Sequence, residues 1–98
     1  MTLTNINGYQ FEQGYPLATA FYEVAAVYVI YTSQSWLDVG ETDQLGTRIA
    51  GHERKPCWQR NASTLPIYVA VHREANQQTR LSIESYLRSQ LSPTCGDR

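Results

Sequence analysis

Hydrophobic and polar positions alternate in three short runs along this chain and recur at helical spacing in two longer ones. Val27 to Tyr31 (VYVIY) is β-branched and aromatic and predicts a strand. A polar stretch, Thr32 to Ser35, separates it from Trp36 to Val39, so the two form an antiparallel hairpin. Leu65 to His72 (LPIYVAVH) is the third strand, with Ile67, Val69 and Val71 on one side and Tyr68, Ala70 and His72 on the other. Helical spacing runs from Thr42, a cap residue followed by Asp43, to about His52, and again from Asn76 to Leu91, where Pro93 ends it. Residues 53 to 64 form a basic loop or short helix around Cys57 and Trp58. Residues 1 to 24 are polar, with breakers at Gly8, Gly14 and Pro16, and are expected to be an extension packed on a single domain of residues 25 to 98.

Both helices place charge where burial is expected. In the last one, Arg80, Ile83, Glu84, Leu87 and Leu91 share a stripe. Glu84 sits in its middle and needs a cation: Arg80 one turn earlier, Arg48, or a metal ion. In the first, Leu45 and Ile49 define the buried stripe, and Arg48 and His52 border it. Each arginine could equally cover the core, and each polar group could be a satisfied structural one.

The net charge of -1 hides an asymmetry. No lysine or arginine precedes Arg48, whereas all eight basic residues lie from there onward. Tight nucleic-acid binding through bulk charge is therefore excluded. The segment HERKPCWQR offers a local surface, in which Arg54, Lys55 and Arg60 would hold phosphates while Trp58 stacks a base, unless Trp58 and Cys57 are core residues. No basic signal-like segment opens the sequence, and its most apolar stretch, Ala25 to Tyr31, is too short to span a bilayer, so a cytoplasmic protein with two reduced thiols, Cys57 and Cys95, is expected. Cys57, Cys95, His52 and His72 lack the Cys-x-x-Cys pair that anchors a zinc site.

In order and spacing, AVYVIY at 26 to 31, DVGETDQLGTRIAGH at 38 to 52 and RLSIESYLRSQLSPTCG at 80 to 96 resemble the GIY-YIG nuclease superfamily. The resemblance implies an α+β fold, a small three-stranded antiparallel sheet flanked by helices. It also implies divalent-metal-dependent cleavage of DNA. Tyr28, Gly40, Arg48, His52 and Glu84 stand at the matching positions. Ala26, Asp38 and Gly96 depart from the pattern, and Asp38 replaces the second motif's tyrosine. Glu84, with Asp38 as a second oxygen ligand, would hold Mg²⁺ or Mn²⁺. Arg48 would grip the phosphate, and Tyr28 or His52 would orient or deprotonate the water. Asp38 either substitutes chemically for the tyrosine or pairs with Arg48 and fills the cleft, which would leave a module that binds nucleic acid or a protein partner without turnover. DNA, branched or damaged DNA included, is the partner implied, with a homodimer or a separate chain supplying selectivity.

Overall fold

The structure, a computed structural model, describes residues 2–96, so the outer ends of the expected segments 1–24 and 25–98 lie outside it. Five antiparallel strands, β1 (Thr2–Ile6), β2 (Tyr9–Pro16), β3 (Ala26–Tyr31), β4 (Trp36–Thr42) and β5 (Tyr68–Arg73), form one sheet in the order β1-β2-β5-β3-β4. The helices are α1 (Leu45–Ala50), α2 (Lys55–Ala62) and α3 (Gln77–Leu91). The chain is thus a small α+β fold, but the expected three strands are corrected to five. Residues 2 to 16 are not an appendage: β2 pairs with β5 and closes the side of the sheet that a three-strand arrangement would leave open. The turn between β1 and β2 is Asn7-Gly8, both with positive φ (48° and 100°), the backbone that a two-residue hairpin loop requires.

Alternation along the strands gives the sheet two buried faces. Tyr28, Ile30, Val69 and Val71 pack with Leu45 and Ile49 of α1 and with Trp58 and Ala62 of α2. Val27, Val29, Val39 and Ala70 pack with Ile83 and Leu87 of α3 on the other. The hairpin β3–β4, the strand β5 and the last helix stand close to where the periodicity puts them, with Asn76 capping α3 through its side chain. The first helix is shorter than expected. Thr42 is the last residue of β4 and a short turn follows it, and a helix N–H is met from a distance, by the Glu23 carboxylate on Thr47 N (2.9 Å).

Cys57 and Cys95 are not free thiols. They form a disulfide, Cα atoms 6.1 Å apart, that ties α2 to the C-terminal tail. The tail lies along β4, where Thr94 N and Cys95 N donate to the carbonyls of Trp36 and Leu37. The cytoplasmic expectation loses the support it drew from reduced cysteines. No helix among the described residues is long and apolar enough to cross a membrane. The bridge spans 38 residues of sequence, so reduction is expected to lower the unfolding free energy by roughly 4 kcal/mol. Urea denaturation with and without a phosphine reductant measures this, and coincident curves would contradict it.

The charge asymmetry of the sequence resolves into pairs. Glu12 meets Arg73, Asp38 meets Arg54 and Arg88, and Glu41 meets Arg80. Acid from the first half neutralises base from the second across the fold, which removes most of the arginines from service as a free anion-binding surface.

Candidate active site

The strand-turn-helix segment from β4 to α1 positions the first part of the site. Tyr28 on β3 is directly opposite Gly40 on β4. A Cβ at Gly40 would collide with the Tyr28 hydroxyl and ring, so the glycine is what lets the phenol lie flat against the neighbouring strand. Tyr28 is 1% exposed, and its Oη is 2.9 Å from His52 Nε2. His52 follows α1 and is held by the backbone N–H of Arg54, which donates to Nδ1 (3.1 Å). With Nδ1 accepting, the neutral ring carries its proton on Nε2, and His52 donates to the phenol oxygen. The Arg48 charge favours the phenolate, although both its Nη atoms are donated to Glu53.

Burial works against charge at both partners. It pushes Tyr28 up to about 12, opposed mainly by Arg48, and His52 down to about 4, with the Arg48 and Arg54 charges adding to the effect. His52 is therefore no general base: both nitrogens are committed and the ring stays neutral. Its depressed value also bears on stability. Between pH 6.5 and about 4 the unfolded chain takes up a proton that folded His52 refuses, so this contribution is intact above 6.5 and is lost as pH falls toward 4. Denaturation curves at pH 7 and pH 4.5 should differ less for His52→Asn than for the parent. An equal difference in both would remove the role given to this ring.

Arg48 is half-buried, with a forked ion pair to Glu53 at 2.7 and 3.2 Å. Arg48 holds the Glu53 carboxylate down to about 2. Arg48 also lines a polar hollow with Glu41, Thr42, Asp43, Gln77 and Arg80, between the start of α1 and the start of α3.

Glu84 reaches the edge strand β4 from the α3 side. Its side chain is 26% exposed, and among the described residues it makes no side-chain hydrogen bond. Neither expected protein partner takes it. Arg80 turns instead to Glu41 (2.9 Å) and to the carbonyls of Glu74 and Ala75, and Arg48 turns to Glu53. Among the described residues the nearest cation is Arg88 Nε at 3.9 Å, and that guanidinium is committed elsewhere. Burial raises the Glu84 carboxyl above its usual range, with Arg88 opposing and Glu41 adding repulsion.

Asp38 is corrected outright. It neither faces the cleft nor pairs with Arg48. It is fully buried, with Oδ2 accepting from Arg54 Nε (2.6 Å) and Trp58 Nε1 (2.8 Å) and Oδ1 accepting from Arg88 Nη2 (2.5 Å), Arg54 Nη2 (3.3 Å) and Val39 N (2.8 Å). A carboxylate so occupied has no oxygen to offer a metal or a water. Trp58 is corrected with it: at 0% exposure, its indole is core and stacks on no base. Arg54 spends its guanidinium on Asp38. Lys55 donates to the Ala50 carbonyl, and Arg60 is exposed on α2, so these two are what remains of the expected basic surface.

The structure thus brings Tyr28, His52, Arg48 and Gly40 together, sets Glu84 around the same edge strand, and puts Asp38 and Trp58 beneath α2. Two functional partners carry no signal in the sequence, Arg88, which holds Asp38, and Glu53, which holds Arg48. No family model, curated protein or solved structure matches this chain.

Proposed function

We propose that this chain is a divalent-metal-dependent nuclease that hydrolyses DNA phosphodiester bonds, in the manner of the GIY-YIG enzymes its motifs resemble. The observation that carries the reading is the Tyr28 phenol, seated against the bare backbone of Gly40 and receiving the His52 Nε2 proton beside the Arg48 guanidinium. With the His52 N–H donating to its oxygen, the phenol keeps its own proton free to engage a water or to depart. Arg48 is an exchangeable clamp, since Glu53 is an exposed carboxylate that a phosphate can replace.

Glu84 fits a hard cation. It is an oxygen donor, poorly hydrated and without a hydrogen bond among the described residues, with a second carboxylate, Glu41, close enough to act on it. No cluster of three or more His, Cys, Asp or Glu side chains is present among those residues, and Mg²⁺ or Mn²⁺, which keep several waters, need only one or two carboxylates. When bound, the ion supplies Lewis-acid stabilisation of phosphate charge. Tyr28 orients the attacking water and, as phenolate, takes its proton. Arg48 neutralises charge at the non-bridging oxygens. Lys55 and Arg60 contact flanking phosphates, and selectivity for branched or damaged DNA, or a partner chain, lies outside these residues.

Supercoiled plasmid should be nicked in Mn²⁺ or Mg²⁺ and protected by chelator. Because burial sets the phenol near 12, the nicking rate should rise continuously from pH 7 to pH 9.5. A flat profile would remove Tyr28 as the base. One observation favours a second reading, a module that binds nucleic acid or protein without turnover: the position of the second motif's tyrosine holds an aspartate spent wholly on Arg54, Arg88 and Trp58. That reading is reached if the purified protein binds DNA yet leaves plasmid, single-stranded and branched substrates intact.

A further inference from the structure

A second concavity lies on the same face of the sheet as Tyr28. It is a cavity of about 200 Å³ between β2, β5, the segment before β3 and the first residue of α1. Its walls are apolar and aromatic: Tyr15, Phe21, Tyr22 and Leu45. Tyr15 and Phe21 stand edge to face with ring centres 5.2 Å apart, and Tyr22 is 82% exposed at the mouth. An aromatic side chain left so open has a face to give a ligand. The rim carries one carboxylate and one guanidinium. Glu12 Oε2 is 3.2 Å from Arg73 Nε, and Glu12 Oε1 accepts from the Tyr15 hydroxyl at 2.8 Å.

Size and chemistry narrow the ligand. Sites for drug-sized molecules occupy roughly 300–1,000 Å³, so this one has room for a single planar ring system while the rest of the ligand stays outside. A carboxylate on the rim repels phosphate and welcomes N–H donors. The adjacent guanidinium welcomes ring nitrogens and carbonyl oxygens. Guanine alone among the four bases offers both in adjacent pairs, N1–H and N2–H for the carboxylate and O6 and N7 for the guanidinium. Each Glu12 oxygen keeps acceptor capacity beyond the one bond it makes here.

The position ties the cavity to the candidate active site. Glu12, Val71 and Tyr28 are successive partners in one row across β2, β5 and β3, and the phenol leans on over Gly40 of β4, so the rim strand and the phenol are three strand spacings apart, about 14 Å. Leu45, in the cavity wall, and Arg48, in the site, are one turn apart on α1. We propose that this cavity receives a guanine base turned out of the nucleic-acid strand whose phosphate Arg48 holds. The proposal rests on the nuclease reading and adds to it a preference for guanine next to the cut.

Titration of deoxyguanosine, deoxyadenosine, deoxycytidine and thymidine into ¹⁵N-labelled protein, without metal, tests it. Deoxyguanosine should shift the amides of Tyr15, Phe21, Tyr22 and Val71 and bind about tenfold more tightly than the other three. Glu12→Gln should abolish that preference, and Tyr22→Ala, at an exposed position, should weaken every base severalfold with the spectrum of the fold unchanged. No shifts, shifts elsewhere, or equal shifts from all four nucleosides would overturn the proposal. The two readings fail separately. Deoxyguanosine preference without plasmid nicking removes cleavage and keeps the pocket, whereas nicking without the preference removes the pocket.

Discussion

Asp38→Asn should cost about 3–5 kcal/mol of stability, the range for removing one partner of a buried ion pair. Asparagine has nearly the same shape but offers one acceptor oxygen where the carboxylate offers two. It leaves Arg88, whose side chain is 9% exposed, charged and with only the Glu84 carboxylate at 3.9 Å to offset it. Arg54 loses its anchor at the start of α2, and the Trp58 indole N–H loses or shares its acceptor. For a chain of 98 residues the total is about 5–15 kcal/mol, so the variant would be partly unfolded at physiological temperature. Adding Arg88→Gln should recover part of the loss by removing the orphaned charge. Urea denaturation reads both, and a loss under about 1 kcal/mol for the single variant would mean that the cage of two arginines and a tryptophan does not hold the fold.

Glu84→Gln should separate function from stability in the opposite sense. Burial disfavours the charged form of this side chain, so a neutral isostere should leave the thermal midpoint unchanged or raise it. Metal-dependent nicking, by contrast, should fall by roughly 10³-fold or more, equivalent to ~4 kcal/mol of barrier. The heat of Mn²⁺ binding expected by calorimetry for the parent should disappear. A variant that nicks at parental rate would transfer the metal to another group. A variant that unfolds would make Glu84 a structural residue.

The parts that could be read in the sequence are those fixed by local period and local turn chemistry. VYVIY, the short hairpin loop before Trp36 and the stripe of α3 needed no distant information. The period of α1 placed Arg48 and His52 beside its buried stripe, and the resemblance of AVYVIY and DVGETDQLGTRIAGH to the family motifs added Tyr28 to them. The β1–β2 hairpin was equally local. Asn7-Gly8 between Ile6 and Tyr9 is a strong two-residue turn signal, set between strands, TLTNI and YQFEQGYP, that are largely polar.

What could not be read was the choice among partners. Asp38 had several cations within conceivable reach, and only the packing of α2 and α3 against the same end of β4 selects Arg54 and Arg88 over Arg48. The same selection turned Arg80 to Glu41 and left Glu84 without a hydrogen bond among the described residues. Cys57 and Cys95 are 38 positions apart, and nothing local to either announces that the tail returns to α2. Trp58 in a basic segment fits a surface or a core position equally, and its bond to the buried Asp38 carboxylate makes it core.

The measurement that bears most directly on the site is paramagnetic broadening by Mn²⁺ in a ¹⁵N spectrum of the parent protein. The account predicts that substoichiometric Mn²⁺ erases the amide signals around Glu84 and Glu41 and strongly weakens those of Gly40 and Arg48, while the β1–β2 turn at Asn7-Gly8 stays sharp. Broadening centred on another group of residues, or none at all, would contradict it.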